Sequence, residues 1–219
     1  LFRSDGALYS AFGFSGQKCS ALSRLIVLES VYDKVRDRFL EGVKSLEVGS
    51  AESPEPYTGP VVDEESQRRI LATIEKAKSQ HRLLHSGYVP ANGYFVPLTV
   101  FENVRAEDEL AQQEIFGPVV AILKAKDLDQ ALQMANSTAY ALTGGFYSRS
   151  PENIKKVRQE FRVGNLYINR GITGAMVERH PFGGYKMSGI GSKAGGIDYL
   201  KQFMEPISVA ENTMRRGFV

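Results

Sequence analysis

Short apolar runs rich in β-branched residues alternate with amphipathic stretches from residue 23 to residue 168, and this alternation restricts the chain to an α/β fold. The run SRLIVLES (23–30) has the length and apolarity of a buried strand. VYDKVRDRFLEGVKSLEVG follows it and places Val31, Val35, Phe39, Val43 and Leu46 on one helical stripe that ends near Gly49. After the Pro-rich loop SPEPYTGPV, DEESQRRILATIEKAKSQ predicts a second helix, acidic in its first turn and basic later, as the helix dipole favours. Strand residues flank PANG (90–93), which predicts a hairpin-like turn. Beyond it VVAILKA reads as strand, LDQALQMANS as helix, LTGGFYS as strand, PENIKKVRQEF as helix with Pro151 in its first turn, and GNLYIN as strand. Helices between successive strands act as crossovers, so the expected architecture is a mainly parallel, twisted sheet with flanking helices. EPISVAENTM near the end predicts an edge strand extending beyond the main body.

Charge and cysteine content narrow the function classes. Lys and Arg number 27 against 25 Asp and Glu, too even a balance to point to nucleic acid or an acidic membrane as partner. No apolar run approaches the ~20 residues of a membrane span, and LFRSDGALYS lacks the apolar stretch of a signal peptide. The single cysteine, Cys19, cannot form an internal disulfide, so the expected compartment is a reducing one, the cytoplasm. An opening on Leu1, already helical in pattern by Ala7, leads us to expect a piece of a longer polypeptide.

Loops leaving the carboxyl ends of parallel strands collect functional groups, and three loops here have suitable composition. In GFSGQKCSAL (13–22) small neighbours leave room around Cys19, whose own N–H can face a developing oxyanion; a free cysteine is more often an inert, buried residue. In AQQEIFGPVV (111–120) Glu114 can accept hydrogen bonds from ribose hydroxyls while Phe116 packs on a cofactor, or the two are a helix-end carboxylate and a core ring. In NRGITGAMVERHPFGGYKMSGIG (169–191) the amides of Gly174 and Ala175 can receive a carboxylate and Phe182 can pack on an aliphatic chain; a plain glycine-rich surface loop is the competing reading. His81 and His85 sit in a strand-like segment with no thiolate or carboxylate cluster nearby, so no metal site is expected.

Taken together and in this order, GFSGQKCSA, QEIFGPV, TGGFYS, GNLYINRGITGA and PFGGYKMSG resemble the catalytic domain of the aldehyde dehydrogenase superfamily over nearly the whole chain. Ser20 directly after the cysteine and ITGA in the third loop make the likeness strongest to the branch acting on L-glutamate γ-semialdehyde, including the version fused into proline utilisation A. The resemblance implies Cys19 as nucleophile, Ser20, Gly174 and Ala175 as anchor for the substrate's α-carboxylate, and Phe182 as a wall against its chain. It implies Glu114 as ribose ligand of NAD and Phe116 at the nicotinamide end. Residues 1–204 would then form the thiol-bearing domain and residues 205–219 an oligomerisation strand of a homo-oligomer. The resembling enzymes carry an oxyanion-binding asparagine, a general-base glutamate and most of the dinucleotide fold in a preceding domain, which this sequence does not show. The chain alone is therefore expected to turn over no NAD. Two other functions remain open: a non-catalytic oligomerisation module, and a thiol acyl-transfer enzyme using His81, His85 or His180 as base. A dehydrogenase for a different aldehyde is the alternative within the family.

Overall fold

The structure, a computed structural model, describes residues 4–176 and 178–214. It opens with helix α1 (Ser4–Phe12), followed by β1 (Arg24–Leu28), α2 (Tyr32–Lys44), α3 (Glu64–Lys78), β2 (Arg82–Ser86), β3 (Thr99–Glu102), α4 (Glu109–Gln112) and β4 (Val119–Ala125). These strands make one sheet in the order β1-β4-β3-β2. β1 and β3 run parallel to β4, and β2 pairs antiparallel with β3.

The two faces of that sheet follow from the period of two along β4. Val120 and Ile122 join Leu25, Val27 and Val100 against Phe12 of α1 and Val35, Phe39 and Val43 of α2. Val119, Ala121 and Leu123 point the other way, with Phe101, onto Ile70, Ile74 and Ala77 of α3 and Leu110 of α4. β4 is therefore apolar at nearly every position because both faces are covered, as a central parallel strand requires. Each such fully buried side chain is worth about 1.5–3 kcal/mol.

The second half supplies α5 (Leu128–Asn136), β5 (Tyr140–Ala141), β6 (Thr143–Phe146), α6 (Pro151–Glu160), β7 (Asn165–Ile168) and β8 (Tyr185–Lys186). β6 and β7 pair in parallel, and β5 with β8 antiparallel. Three helix starts are capped as their sequences suggest. Asp63, Asp127 and Ser150 accept from the backbone N–H groups of Ser66, Gln130 and Asn153. Arg24, a charge within a strand, donates to the carbonyls of Met134 and Ala135 at 2.9 and 3.0 Å, closing the end of α5.

The α/β class and the flanking helices match expectation, and four details refine it. The helix after β1 starts at Tyr32, leaving Val31 exposed in a short 3₁₀ turn, and ends at Lys44 rather than Gly49. PANG is not a tight hairpin turn but part of the long connection 87–98 between β2 and β3. The strands fall into three hydrogen-bonded sets, two of them containing parallel pairs. The anticipated edge strand is not formed at 205–214: these residues are exposed and without regular structure, since an edge strand requires a second edge to pair with. Residues 215–219 of that segment lie outside the described residues. Among the described residues no helix is long and apolar enough to cross a membrane.

Candidate active site

Cys19 and Ser20 are the two central residues of a turn closed by a hydrogen bond from the Ala21 N–H to the Lys18 carbonyl, 2.9 Å. That bond leaves the N–H groups of Cys19 and Ser20 outside the turn's own pairing. Two left-handed residues, Phe14 (φ 60°) and Ser15 (φ 55°), swing the chain from α1 into this turn. Such conformations cost about 1–3 kcal/mol each and persist where surroundings impose them. Here the loop at Thr58 does so. The Ser15 N–H donates to Thr58 Oγ1 at 2.7 Å, and the Ser15 hydroxyl donates to the Gly59 carbonyl at 2.6 Å. With the Ser15 proton so used, the 2.9 Å contact between the two hydroxyls has Thr58 as donor.

Gly16 brings the cysteine turn to the second loop. Its φ is +67°, and a methyl group there would overlap the Gly117 carbonyl. The cysteine turn thus lies directly against the Glu114–Gly117 segment, which Arg69 fixes by donating to the Ile115 carbonyl at 2.6 Å. Between these loops and β6 opens a cavity of about 620 Å³. Its lining includes Lys18, Cys19, Glu114, Phe116, Thr143 and Ile172. Cys19 and Glu114 are exposed, and Phe116 (φ 54°) presents its ring with 42% of its surface open. Lys18 is adjacent to Cys19 in sequence, but its ammonium rests 5.0 Å over the Tyr9 ring. An exposed thiol in a cavity is accessible to a small molecule, unlike a cysteine sealed in a core.

The structure brings Cys19, Glu114 and Phe116 together at this cavity. Ser20, Gly174, Ala175 and Phe182 are not part of its lining. Ser20 is 8% exposed, and its carbonyl accepts from the Thr143 hydroxyl at 3.4 Å. Gly174 is exposed with φ +83° and no neighbour within 4 Å of where a Cβ would stand. Ala175 is half-buried, and so is Phe182, which exchanges backbone hydrogen bonds with Ala194 at 2.9 and 3.0 Å. Asn165 steadies the same loop through the Pro181 carbonyl and the Gly183 N–H. Thr173 was not singled out by the sequence; its buried hydroxyl has no partner among the described residues, and the only cue was its place within ITGA.

None of the three histidines lines the cavity. His81 is buried with Nδ1 3.9 Å from Asp108, His85 belongs to β2, and His180 accepts from the Met176 N–H at 3.3 Å. A histidine base for Cys19 therefore has no geometric support. Among the described residues no group of three or more His, Cys, Asp or Glu could hold a metal ion.

Glu114 and Phe116 give the lining of the thiol's cavity an exposed carboxylate, able to accept from hydroxyls, and an exposed ring, able to pack on a flat ligand.

Comparison with known proteins identifies the family of the chain. The aldehyde dehydrogenase family model matches residues 3–209. The 1-pyrroline-5-carboxylate dehydrogenase of Anoxybacillus flavithermus is 50% identical over 203 residues, covering 92% of this chain and 39% of that protein. Proline utilization A from Bdellovibrio bacteriovorus, solved after inactivation by N-propargylglycine, superposes with a TM-score of 0.94 at 65% identity, over 98% of this chain and 22% of that one. The 1-pyrroline-5-carboxylate dehydrogenase from Thermus with bound NAD gives a TM-score of 0.88 at 47% identity, over 92% of this chain and 39% of the other. The chain thus spans about two fifths of the length of the curated relative.

Proposed function

The chain belongs to the aldehyde dehydrogenase family, and on that premise we propose that it is the thiol-bearing part of an NAD-dependent enzyme oxidising L-glutamate γ-semialdehyde to L-glutamate in proline catabolism. The observation that carries this function is the exposed Cys19 at a cavity whose wall also holds Glu114 and Phe116. In this mechanism the Cys19 thiolate adds to the aldehyde carbon, an S–C bond forms, and the carbonyl electron pair moves onto oxygen. The Cys19 N–H, which the hydrogen bond closing its turn does not use, donates to that oxyanion. Glu114 would hold ribose hydroxyls and Phe116 would flank the nicotinamide end; a bound dinucleotide would supply the acceptor for the hydride lost from the former aldehyde carbon as its C=O re-forms, which leaves a thioester on Cys19. Water then displaces Cys19, releasing the carboxylic acid and restoring the thiol. Ser20, Gly174 and Ala175 bind the α-carboxylate, and Phe182 packs on the substrate's methylenes.

The base that activates the water, a side chain stabilising the oxyanion with Cys19, and the cofactor's phosphate site belong, on this reading, to a preceding domain of a cytoplasmic homo-oligomer. The test is NADH formation from L-glutamate γ-semialdehyde by the full-length polypeptide carrying this segment, beside its Cys19→Ala variant and the isolated 219-residue chain. The full-length protein is expected to form NADH, and the variant and the isolated chain to form none. Sustained turnover by Cys19→Ala would remove the thiol from the mechanism, and turnover by the isolated chain would remove the preceding domain.

A further inference from the structure

We propose that Ser10 is a positioning residue: its hydroxyl ties the loop that anchors the substrate carboxylate to the helix that also holds the cysteine turn, and so sets selectivity for carboxylate-bearing aldehydes. This rests on the assignment of Gly174 and Ala175 as the carboxylate anchor. Ser10 is 1% exposed, in the last half of α1. Its hydroxyl donates to the Gly6 carbonyl one turn back at 2.6 Å, the ordinary bond of a serine within a helix. The same oxygen also accepts the N–H of Ile172 at 3.0 Å, from a loop 162 residues further along the chain. Its backbone carbonyl meanwhile accepts the Leu22 N–H at 2.9 Å, where the chain leaves the cysteine turn.

One residue thus fixes a point three residues after Cys19 and another two residues before Gly174. At no more than ~3.6 Å of chain per residue, the Cys19 Cα lies within about 11 Å of its fixed point and the Gly174 Cα within about 7 Å of its own. The contact is tight. A methyl at Gly171 would stand 3.1 Å from Ser10 Oγ and 3.4 Å from the Gly6 carbonyl, so loop and helix meet with no spare volume. Ile172 is itself buried, at 9% exposure, so bulk water is poorly placed to replace the lost acceptor. The two bonds are chemically separable, because Ser10→Ala deletes the acceptor for Ile172 and leaves the carbonyl that holds Leu22.

The experiment compares L-glutamate γ-semialdehyde with pentanal, which lacks the amino-carboxylate, in the full-length protein and its Ser10→Ala variant. The ratio of kcat/KM between the two aldehydes is expected to fall about tenfold as the anchoring loop shifts from its position beside the thiol, with the fall carried by KM for the carboxylate-bearing substrate. A purely structural role would lower both aldehydes together, and an unchanged ratio overturns the proposal. Gly171→Ala presses on the same contact from the loop side and is expected to lower the same ratio, so the question stays open to measurement if Ser10→Ala does not fold. The unsubstituted protein's own preference separates the two claims: if it does not favour the carboxylate-bearing aldehyde, the substrate assignment fails, whereas a preference that survives both substitutions refutes Ser10 alone.

Discussion

At the scale of single residues, the site depends on backbone approaches that no larger side chain permits. Gly16 combines a positive φ with contact against the Gly117 carbonyl, a backbone group that cannot rotate out of the way. Gly16→Ala therefore has to strain the left-handed conformation and push the cysteine turn from the Glu114–Phe116 loop. A loss of about 1–3 kcal/mol is expected from the conformation alone, read as a lower unfolding midpoint, together with a higher KM for NAD. A variant that keeps both would show that the two loops tolerate separation. Glu102 is a carboxylate held inside the protein by its partners. It is 3% exposed, yet accepts from Tyr32 at 3.1 Å and Arg82 at 2.6 Å, with Arg36 at 3.7 Å. Burial first, and then the adjoining carboxylate, push the Tyr32 hydroxyl well above the ordinary phenol value. Glu102→Leu leaves the Tyr32 hydroxyl without its acceptor at a cost of about 1–3 kcal/mol, measurable by denaturant unfolding. Cys19 activity should survive, because Glu102 is not part of the cavity's lining.

At the scale of elements, helix starts carry the clearest pH signature. The Ser66 N–H donates to Asp63 at 2.8 Å, and that backbone bond, with the Ser66 side chain, holds the Asp63 carboxyl below its usual value. A carboxyl depressed on folding contributes stability that is complete above the unfolded value of about 3.9 and disappears as pH falls through the lower, folded value. Asparagine caps a helix nearly as well and does not titrate in this range. Asp63→Asn should thus track the parent protein near neutrality and lose less stability below about pH 4, in urea unfolding followed across pH. Parallel curves down to the lowest pH would show that the Asp63 charge does not support α3. The elements were legible for the same local reasons. β4 and the stripe of Val35, Phe39 and Val43 announce themselves through period, and Asp63, Asp127 and Ser150 through cap chemistry, each encoded within a few residues. β5 and β8 were not legible, because two-residue strands carry no period and exist only through pairing across 46 positions, Tyr140 with Lys186. The site was legible as motifs but not as geometry. The clamp of Thr58 on Ser15 spans 43 positions, and the contact of Ser10 with Ile172 spans 162. Residues alone favoured reading Cys19 as an inert core thiol; the left-handed pair before it, held by a distant loop, brings it to an exposed turn.

At the scale of the whole molecule, the C-terminal segment poses a problem that this chain does not solve by itself. Ile207 and Val209 are 85% and 84% exposed, and Met204 and Phe203 just before them are 68% and 70% exposed. PISVAE places the two β-branched residues at alternate positions, the pattern of a strand with one apolar face. An exposed chain of that pattern is stabilised by a sheet edge that pairs its N–H and C=O groups and a surface that covers its apolar side. A second copy of the polypeptide can supply both, since the same segment and the same edge recur in it and symmetry lets each copy satisfy the other. Deleting residues 205–219 from the full-length protein is therefore expected to reduce its mass in solution by a whole-number factor, measured by light scattering after size exclusion. The cavity at Cys19 is built from residues before this segment, so the smaller species should still alkylate at Cys19 as fast as the parent. An unchanged mass after deletion would move the oligomer contact elsewhere on the molecule, and a loss of Cys19 reactivity would show that the segment supports the site as well as the assembly.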